Sequence, residues 1–310
     1  MNTLYWPSGP YRYQAWCDYI PEGFRRLGFE VVYDPKLRED SLIGGTYHFA
    51  VEQDGKKETA WYDFRDFVKT PVEFFDIDDT KMFRIMLLAD EVTDQVRPIG
   101  QVSRLGEIEP STRDQTIDVT FMGRAWVEDC DRVKACKIVE GMDGISKVLR
   151  LKSINPQISA NNPFEHTLVN RDRYLNYLGA SKVCLAMQGG KENKGDWTFR
   201  HNEILALGRF LLMPEPRCKA PGVPIADYFK RDMSDLEEKI RYWINEEEHR
   251  KTMEQYGRYY YDQFLSPRGQ ANYIIKELFD AKGNTATDES PSEEQGSGRG
   301  YTLEETEVDG

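Results

Sequence analysis

KVCLAMQGGKENKGDWTFRHNEILALGRFLLM, residues 182–213, is the stretch whose reading decides the fold. It opens with a β-rich apolar run that ends on Gly189 and Gly190. A polar loop follows, and then WTFRHNEILALG, residues 197–208, has helical spacing and stops on glycine. RFLLMPEP, residues 209–216, is a second apolar run, closed by prolines. Strand, helix and strand in that order predict a parallel pair with a crossover helix.

That geometry gives the loop a use. In an open parallel sheet, ligands sit outside the carboxyl ends of the strands, at helix N-termini. Unpaired backbone N–H groups and the helix dipole there favour phosphate. Gly189 and Gly190 let the backbone approach a ligand closely, and Arg200 can clamp a diphosphate through two parallel hydrogen bonds. Glu203 lies one turn on, on the same face, where a carboxylate can accept from ribose hydroxyls. His201, inside that turn, can touch a phosphate or a sugar hydroxyl. The same letters also fit a surface helix with one exposed Arg–Glu pair, and the pattern alone does not choose between the two.

The flanking sequence extends the alternation. IDVTFMG (117–123) reads as a strand that delivers Arg124 to its carboxyl end, a second positive group for the same site. CDRVKACKIVEGM (130–142) reads as a helix, SKVLRLKS (146–153) as a strand, and NPFEHTLVNRDRYLNYLGAS (162–181) contains a helix. SDLEEKIRYWINEEEHRKTMEQYGRYYYDQF (234–264) reads as helical, with Ser234 and Glu237 as a capping box. A last amphipathic helix follows at 266–280. Toward the N-terminus, TLYW (3–6), a helix over 15–28 broken early by Pro21, and FEVVYD (29–34) form a β-loop-α-β opening. Asp54–Gly55 between two β-rich runs marks a hairpin. The expected organisation is α/β: a first Rossmann-like domain over 1–110 with a hairpin insertion, a second over 111–265, a helix over 266–280 that crosses back to the first, and a tail over 281–310.

Composition narrows the functions. The chain has 310 residues and a net charge of −12. The last 30 residues hold eight acidic side chains against Lys282 and Arg299, so half of that charge lies in a Gly/Ser/Glu-rich tail expected to be disordered. An acidic body disfavours a broad basic nucleic-acid face. The five cysteines show no CxxC, which predicts buried free thiols rather than a disulfide framework or a zinc ribbon. No apolar run approaches the roughly 20 residues of a membrane span, and the N-terminus lacks the basic and apolar regions of a signal peptide. The expected location is cytoplasmic. Asp76–Asp78 and Asp129–Asp131 match D-x-D, a pattern common by chance in so acidic a chain, and no two histidines have metal-ligand spacing. No resident metal or cofactor is expected. Tyr13, Trp16, Trp61 and Tyr62 fit a stacking surface for sugars or bases, or a core, about equally well.

The segment from Tyr177 to Lys182, the glycine pair, the series Arg200, Glu203, Leu205 and Gly208, and the DLEEKI helix together resemble the nucleotide-sugar half of GT-B glycosyltransferases. The similarity is to the spore-maturation-protein-like, family-1-type and exostosin-like groups and covers roughly residues 117–275. It implies two Rossmann-like domains across a cleft, a nucleotide diphosphate sugar donor, most often UDP-linked, and no metal ion. It implies that Arg200 binds the diphosphate and Glu203 the ribose, and that the first domain binds a hydroxyl acceptor, a glycan by default. A hydroxymethylated base in DNA is the alternative acceptor. An inverting enzyme also needs a base on the acceptor side, for which Asp63, Asp66 and Asp18 are the candidates. The rivals are a GT-A fold with Asp76 and Asp78 on a metal, and a non-catalytic nucleotide-sugar-binding protein.

Overall fold

The computed structural model describes residues 1–8, 18–37, 46–63, 80–84, 87–88, 92–100, 108–125, 130–153, 164, 170–187, 197–219 and 226–280. The first half contains β1 (Thr3–Pro7), α1 (Tyr19–Arg26), β2 (Glu30–Asp34), β3 (Thr46–Gln53), β4 (Lys56–Asp63), β5 (Lys81–Arg84), β6 (Leu87–Leu88) and β7 (Val96–Pro98). Six of these strands form one sheet in the order β2-β1-β3-β4-β5-β7. The β3–β4 hairpin supplies its two middle strands. Asp54 (φ 52°) and Gly55 (φ 77°) close it in the left-handed conformation that a two-residue hairpin turn demands. Because β3 runs against β1 and β4, the sheet is mixed, while β1–β2 and β4–β5–β7 are parallel. Pro21 does not break α1. It sits in the first turn, where the missing amide would have had no intrahelical partner.

The second half contains β8 (Ile117–Ala125), α2 (Asp131–Glu140), β9 (Lys147–Ser153), α3 (Arg171–Gly179), β10 (Ser181–Leu185), α4 (Phe199–Ala206), β11 (Phe210–Pro214), β12 (Cys218–Lys219) and β13 (Asp227–Phe229). It ends in α5 (Leu236–Asn245), α6 (Glu247–Tyr260), a π-helical turn (Tyr261–Leu265) and α7 (Pro267–Phe279). Five strands form a sheet in the order β13-β11-β10-β8-β9, and every neighbouring pair is parallel. Both faces are covered. Phe121, Val133, Val139, Leu212 and Trp243 pack on one face. Leu178, Cys184, Ile204, Leu205 and Leu211 pack on the other. Strand β8 has β9 on one side and β10 on the other, so the strand order reverses between β8 and β10. Ligands of doubly wound sheets bind at the carboxyl end of that switch point.

The chain is therefore α/β with two sheets, the GT-B organisation that the resemblance implies, although the first sheet is mixed rather than wholly parallel. Helix α7 packs into the first core, where Ala271, Ile274 and Leu278 join Leu4, Trp6, Phe24, Phe49 and Phe83. Short strands β6 and β12 pair antiparallel and tie the two halves again.

The helical stretch expected over 234–264 consists of two helices and a π turn, divided where Glu246 leaves helical geometry (φ −85°, ψ 69°). Its capping box does not form. Asp235 is the N-cap, and Asp235 Oδ1 instead accepts from the amide of Lys230 at 2.7 Å. Cys130, Cys136 and Cys184 are buried free thiols. The acidic tail lies outside the described residues.

Candidate functional site

Gly123 marks the centre of the site. A side-chain carbon placed there would lie 3.6 Å from Nη1 of Arg132 and 3.6 Å from Nη1 of Arg200. Two guanidinium groups thus converge at the carboxyl end of β8, beside the switch point.

Arg132 stands in the first turn of α2 and is 6% exposed. Its Nε and Nη2 donate to the carbonyl of Met187 at 3.0 and 2.7 Å, and Nη1 donates to the carbonyl of Arg124 at 2.8 Å. It therefore staples the end of β8 to the residues just after β10. Burial, and then the neighbouring Arg200 cation, push its pKa down to about 9.

Arg200 stands in the first turn of α4 and is also 6% exposed. The rings of Phe121 and Phe199 lie 5.9 and 5.6 Å from its guanidinium carbon. Its buried Nε and Nη1 have no hydrogen-bond partner among the described residues. A desolvated cation beside a second cation is costly unless an anion joins them.

His201 is fully buried and replaces the usual Glu or Gln of a capping box. The amide of Thr198 donates to its Nδ1 at 2.8 Å. Nδ1 is therefore the unprotonated nitrogen, and the proton of the neutral ring sits on Nε2. Nε2 is buried and has no partner among the described residues. Burial, together with the charges of Arg200 and Arg132, pushes the imidazole down to about 3. The ring is a neutral donor at physiological pH. Trp197 stacks on it at 4.9 Å.

Glu203 is 1% exposed and accepts a hydrogen bond from the Tyr174 hydroxyl at 2.6 Å. Burial and the adjacent carboxylate push the Tyr174 phenol well above its ordinary pKa, so it keeps its proton and donates. The reading of Arg200 and Glu203 as an exposed surface pair is overturned, since both are buried.

Arg124 is exposed at the end of β8, and its carbonyl holds Arg132. Asp63 is fully buried at the carboxyl edge of the first sheet, 3.5 Å from Arg84 Nε. Asp18 is the exposed N-cap of α1, and the Tyr33 hydroxyl donates to it at 3.4 Å. Gly189, Gly190, Asp66, Asp76, Asp78, Asp129, Tyr13 and Trp16 fall outside the described residues. Tyr62 is core, and Trp61 packs beside His48. Asp131 opens α2 and pairs with Lys134 at 3.7 Å. Among the described residues no group of three or more His, Cys, Asp or Glu converges as a metal would require, and no helix is long and apolar enough to cross a membrane.

Sequence reasoning missed Arg132 and Tyr174. Arg132 did leave a signal, because it shares a helical stripe with Ala135, Cys136 and Val139, all buried. A charge on an otherwise apolar stripe marks a side chain that folds inward to a partner. Tyr174 shares its stripe with buried Leu178 and left no comparable mark.

A family model described as glycosyl transferase-like matches residues 108–275, more than half of the chain and the whole of the second sheet. A comparison with curated proteins gave no significant match. Among solved structures, a DNA-modifying β-glucosyltransferase, determined with and without uridine diphosphoglucose, is 11% identical, with a TM-score of 0.43 over 89% of this chain and 98% of that one. AviGT4, a glycosyltransferase of avilamycin A biosynthesis, is 11% identical, with a TM-score of 0.43 over 70% and 72%. A T4 phage BGT mutant in complex with UDP-glucose is 13% identical, with a TM-score of 0.41 over 68% of each chain.

Proposed function

Since the chain belongs to the glycosyl transferase-like family and is a glycosyltransferase, we propose that it moves a sugar from a UDP-linked donor to a hydroxyl acceptor without a metal ion. The observation that carries this reading is the pair of buried guanidinium groups, Arg132 and Arg200, beside Gly123 at the switch point. A diphosphate placed there supplies the missing counter-charge. Arg200 offers Nε–H and Nη1–H, which point from different edges of the guanidinium, to phosphate oxygens. Arg132 has five N–H bonds and spends three on carbonyls, which leaves two for a second phosphate oxygen. His201 adds a neutral Nε2–H, and Glu203 accepts from the ribose.

In the transfer, the bond between the sugar anomeric carbon and the diphosphate oxygen breaks, with its electron pair leaving on the diphosphate. The acceptor oxygen bonds to that carbon and gives its proton to a base. Fixed donors aimed at the leaving diphosphate stabilise its growing charge most in the transition state. Arginines do here the electrostatic work that a divalent cation does elsewhere. The acceptor belongs to the first-sheet side, where Asp18, Asp63 and Asp66 are the base candidates. The default acceptor is a glycan hydroxyl, and a hydroxymethylated DNA base is the alternative.

The test is thermal stabilisation by UDP and UDP-sugars with and without EDTA, followed by a transfer assay. Stabilisation that ignores EDTA and disappears in Arg200→Ala supports the reading. Absence of any shift with UDP, GDP, CMP or TDP and their sugars would sink it. Binding without transfer and without slow donor hydrolysis would leave a nucleotide-sugar-binding protein.

A further inference from the structure

We infer that the pocket between α5 and α6, walled by Tyr242, Trp243 and His249, binds a sugar ring of a neutral glycan at a place separate from the donor site. The pocket encloses about 360 Å³ and is lined by Asp227, Glu238, Lys239, Tyr242, Trp243 and His249. Asp227 opens β13, so the pocket lies at the β13 edge of the second sheet. Trp243 packs at 4.2 Å on Phe210, the first residue of β11, so the pocket lies toward the amino ends of the strands. Arg132 and Arg200 converge at the carboxyl end of β8, three strands along. The pocket therefore stands independently of the donor reading.

The break at Glu246 builds this pocket. In an unbroken helix, residues six apart such as Trp243 and His249 point to different faces. Glu246 leaves helical geometry, and α6 starts afresh at Glu247. The turn brings the His249 ring to 4.8 Å from Trp243 and its Nδ1 to 3.1 Å from the Tyr242 hydroxyl oxygen. Tyr242 stands at 84° to the Trp243 ring and 88° to the His249 ring, a wall beside both. Asp227 fixes the base of the pocket. It accepts from Trp243 Nε1 at 2.6 Å, from Lys239 Nζ at 2.9 and 3.1 Å, and from the Tyr228 amide at 2.8 Å. Those bonds occupy its acceptor positions, so Asp227 organises the pocket and leaves ligand contacts to its neighbours.

Tyr242 is 45% exposed, a large aromatic ring left in water beside a cavity. An aromatic wall with a polar rim suits a ligand that has an apolar face and a polar edge. A sugar ring has both: its C–H bonds cover the aromatic ring, and its hydroxyls project at the edge. A hydroxyl donates and accepts, and the rim offers both functions. The Glu238 carboxylate accepts, and the Lys239 ammonium has three N–H bonds, more than its two contacts to Asp227 use. Aromatic walls also attract cations, but the Lys239 ammonium already stands in the pocket and repels a second one. Asp227 and Glu238 repel an anion, which leaves a neutral ligand. The aromatic surface continues along α6, where Tyr256 lies two turns beyond His249 and Tyr259 one turn beyond that, both exposed. A linked chain of sugars thus finds further rings to lie on, where a single sugar would use the pocket alone.

The experiment probes the wild type with an array of neutral oligosaccharides of glucose, galactose, mannose and N-acetylglucosamine, and measures the affinity of the strongest binder by calorimetry. At least one should bind. Tyr242→Ala and Glu238→Ala, both at exposed positions, should each weaken that affinity at least tenfold while the midpoint of thermal unfolding stays unchanged. Arg200→Ala should keep the glycan affinity within twofold. If no neutral oligosaccharide binds, or if Tyr242→Ala binds as tightly as wild type, the inference falls. Binding lost in Arg200→Ala would place the glycan at the donor site and overturn it as well. Tetramethylammonium is the second probe. If it binds in place of the sugars and is lost in Tyr242→Ala, the pocket is a cation cage and the sugar assignment is wrong.

Discussion

Arg132 and Met187 are joined by two hydrogen bonds to one carbonyl oxygen, 3.0 Å from Nε and 2.7 Å from Nη2. Together with the bond from Nη1 to the Arg124 carbonyl, they clamp two strand ends around the site. Arg132→Met leaves both buried carbonyls without that donor. It should destabilise the protein by about 2–4 kcal/mol in urea denaturation and weaken UDP binding at least tenfold. Arg132→Lys keeps the charge but cannot span both carbonyls with one ammonium, and should recover less than half of the loss. Wild-type stability in Arg132→Met would show that the clamp holds nothing.

Arg200 should respond in the opposite sense. Its Nε and Nη1 make no hydrogen bond among the described residues, and it faces the Arg132 cation. Arg200→Met removes a desolvated charge and fills the space with apolar atoms. The unliganded protein should gain about 1 kcal/mol while UDP binding is lost. A binding site that is strained when empty gives this trade. Arg200→Met that is both less stable and still able to bind UDP would contradict it.

The contrast between these two arginines shows what could be read in the letters. The place of Arg200 and Glu203 at a helix start beside the carboxyl ends was legible from the strand–helix–strand order, but their burial was not, because the same letters fit an exposed pair. Asp54–Gly55 was legible because few other pairs tolerate two positive φ angles in succession. Arg132 was hidden because its partners are main-chain carbonyls, which leave no trace in side-chain patterns. The middle position of the hairpin in the first sheet was hidden for a similar reason, since strand order depends on long-range pairing such as Thr3 with Glu52. The position of the break at Glu246 was hidden because helix periodicity continues across it, from Trp243 to Arg250. Arg250 donates back to the Trp243 carbonyl at 2.6 Å, a side-chain bond that serves the end of α5.

Gly23 tests how α7 is docked on the first sheet. A glycine inside a helix usually gains about 0.5–1 kcal/mol on mutation to alanine, because the unfolded chain loses freedom. Here a β-carbon would lie 1.9 Å from the carbonyl oxygen of Pro267 and 3.1 Å from Ala271 Cβ. The obstacle is backbone, so it cannot swing aside. Gly23→Ala should therefore destabilise by about 2 kcal/mol or more, with α7 displaced from α1. The readout is urea denaturation together with hydrogen exchange in residues 267–279. A stabilised variant would mean that this contact is loose in solution.

His201 gives a pH dependence with a definite sign. Its pKa is lowered from an ordinary 6.5 to about 3 in the folded protein, chiefly by burial. The unfolded chain therefore binds a proton that the folded chain refuses over that interval. The stability of the neutral, buried ring is fully present above about pH 6.5 and is lost progressively as pH falls toward the folded value. Between pH 7.5 and 5 the loss from this one group should approach about 2 kcal/mol. His201→Gln keeps a capping side chain of the usual kind and has no proton to gain, so its stability should fall less over the same range by about that amount. The two proteins are compared by urea denaturation at half-unit pH steps. Parallel profiles would show that the imidazole titrates in the folded state near its ordinary pKa. Nε2–H would then serve as part of a cation below neutrality, and its contribution to UDP affinity should rise as pH falls through 6.5. If the ring stays neutral, its contribution to UDP binding is flat from pH 5.5 to 8, which the same samples can report by calorimetry.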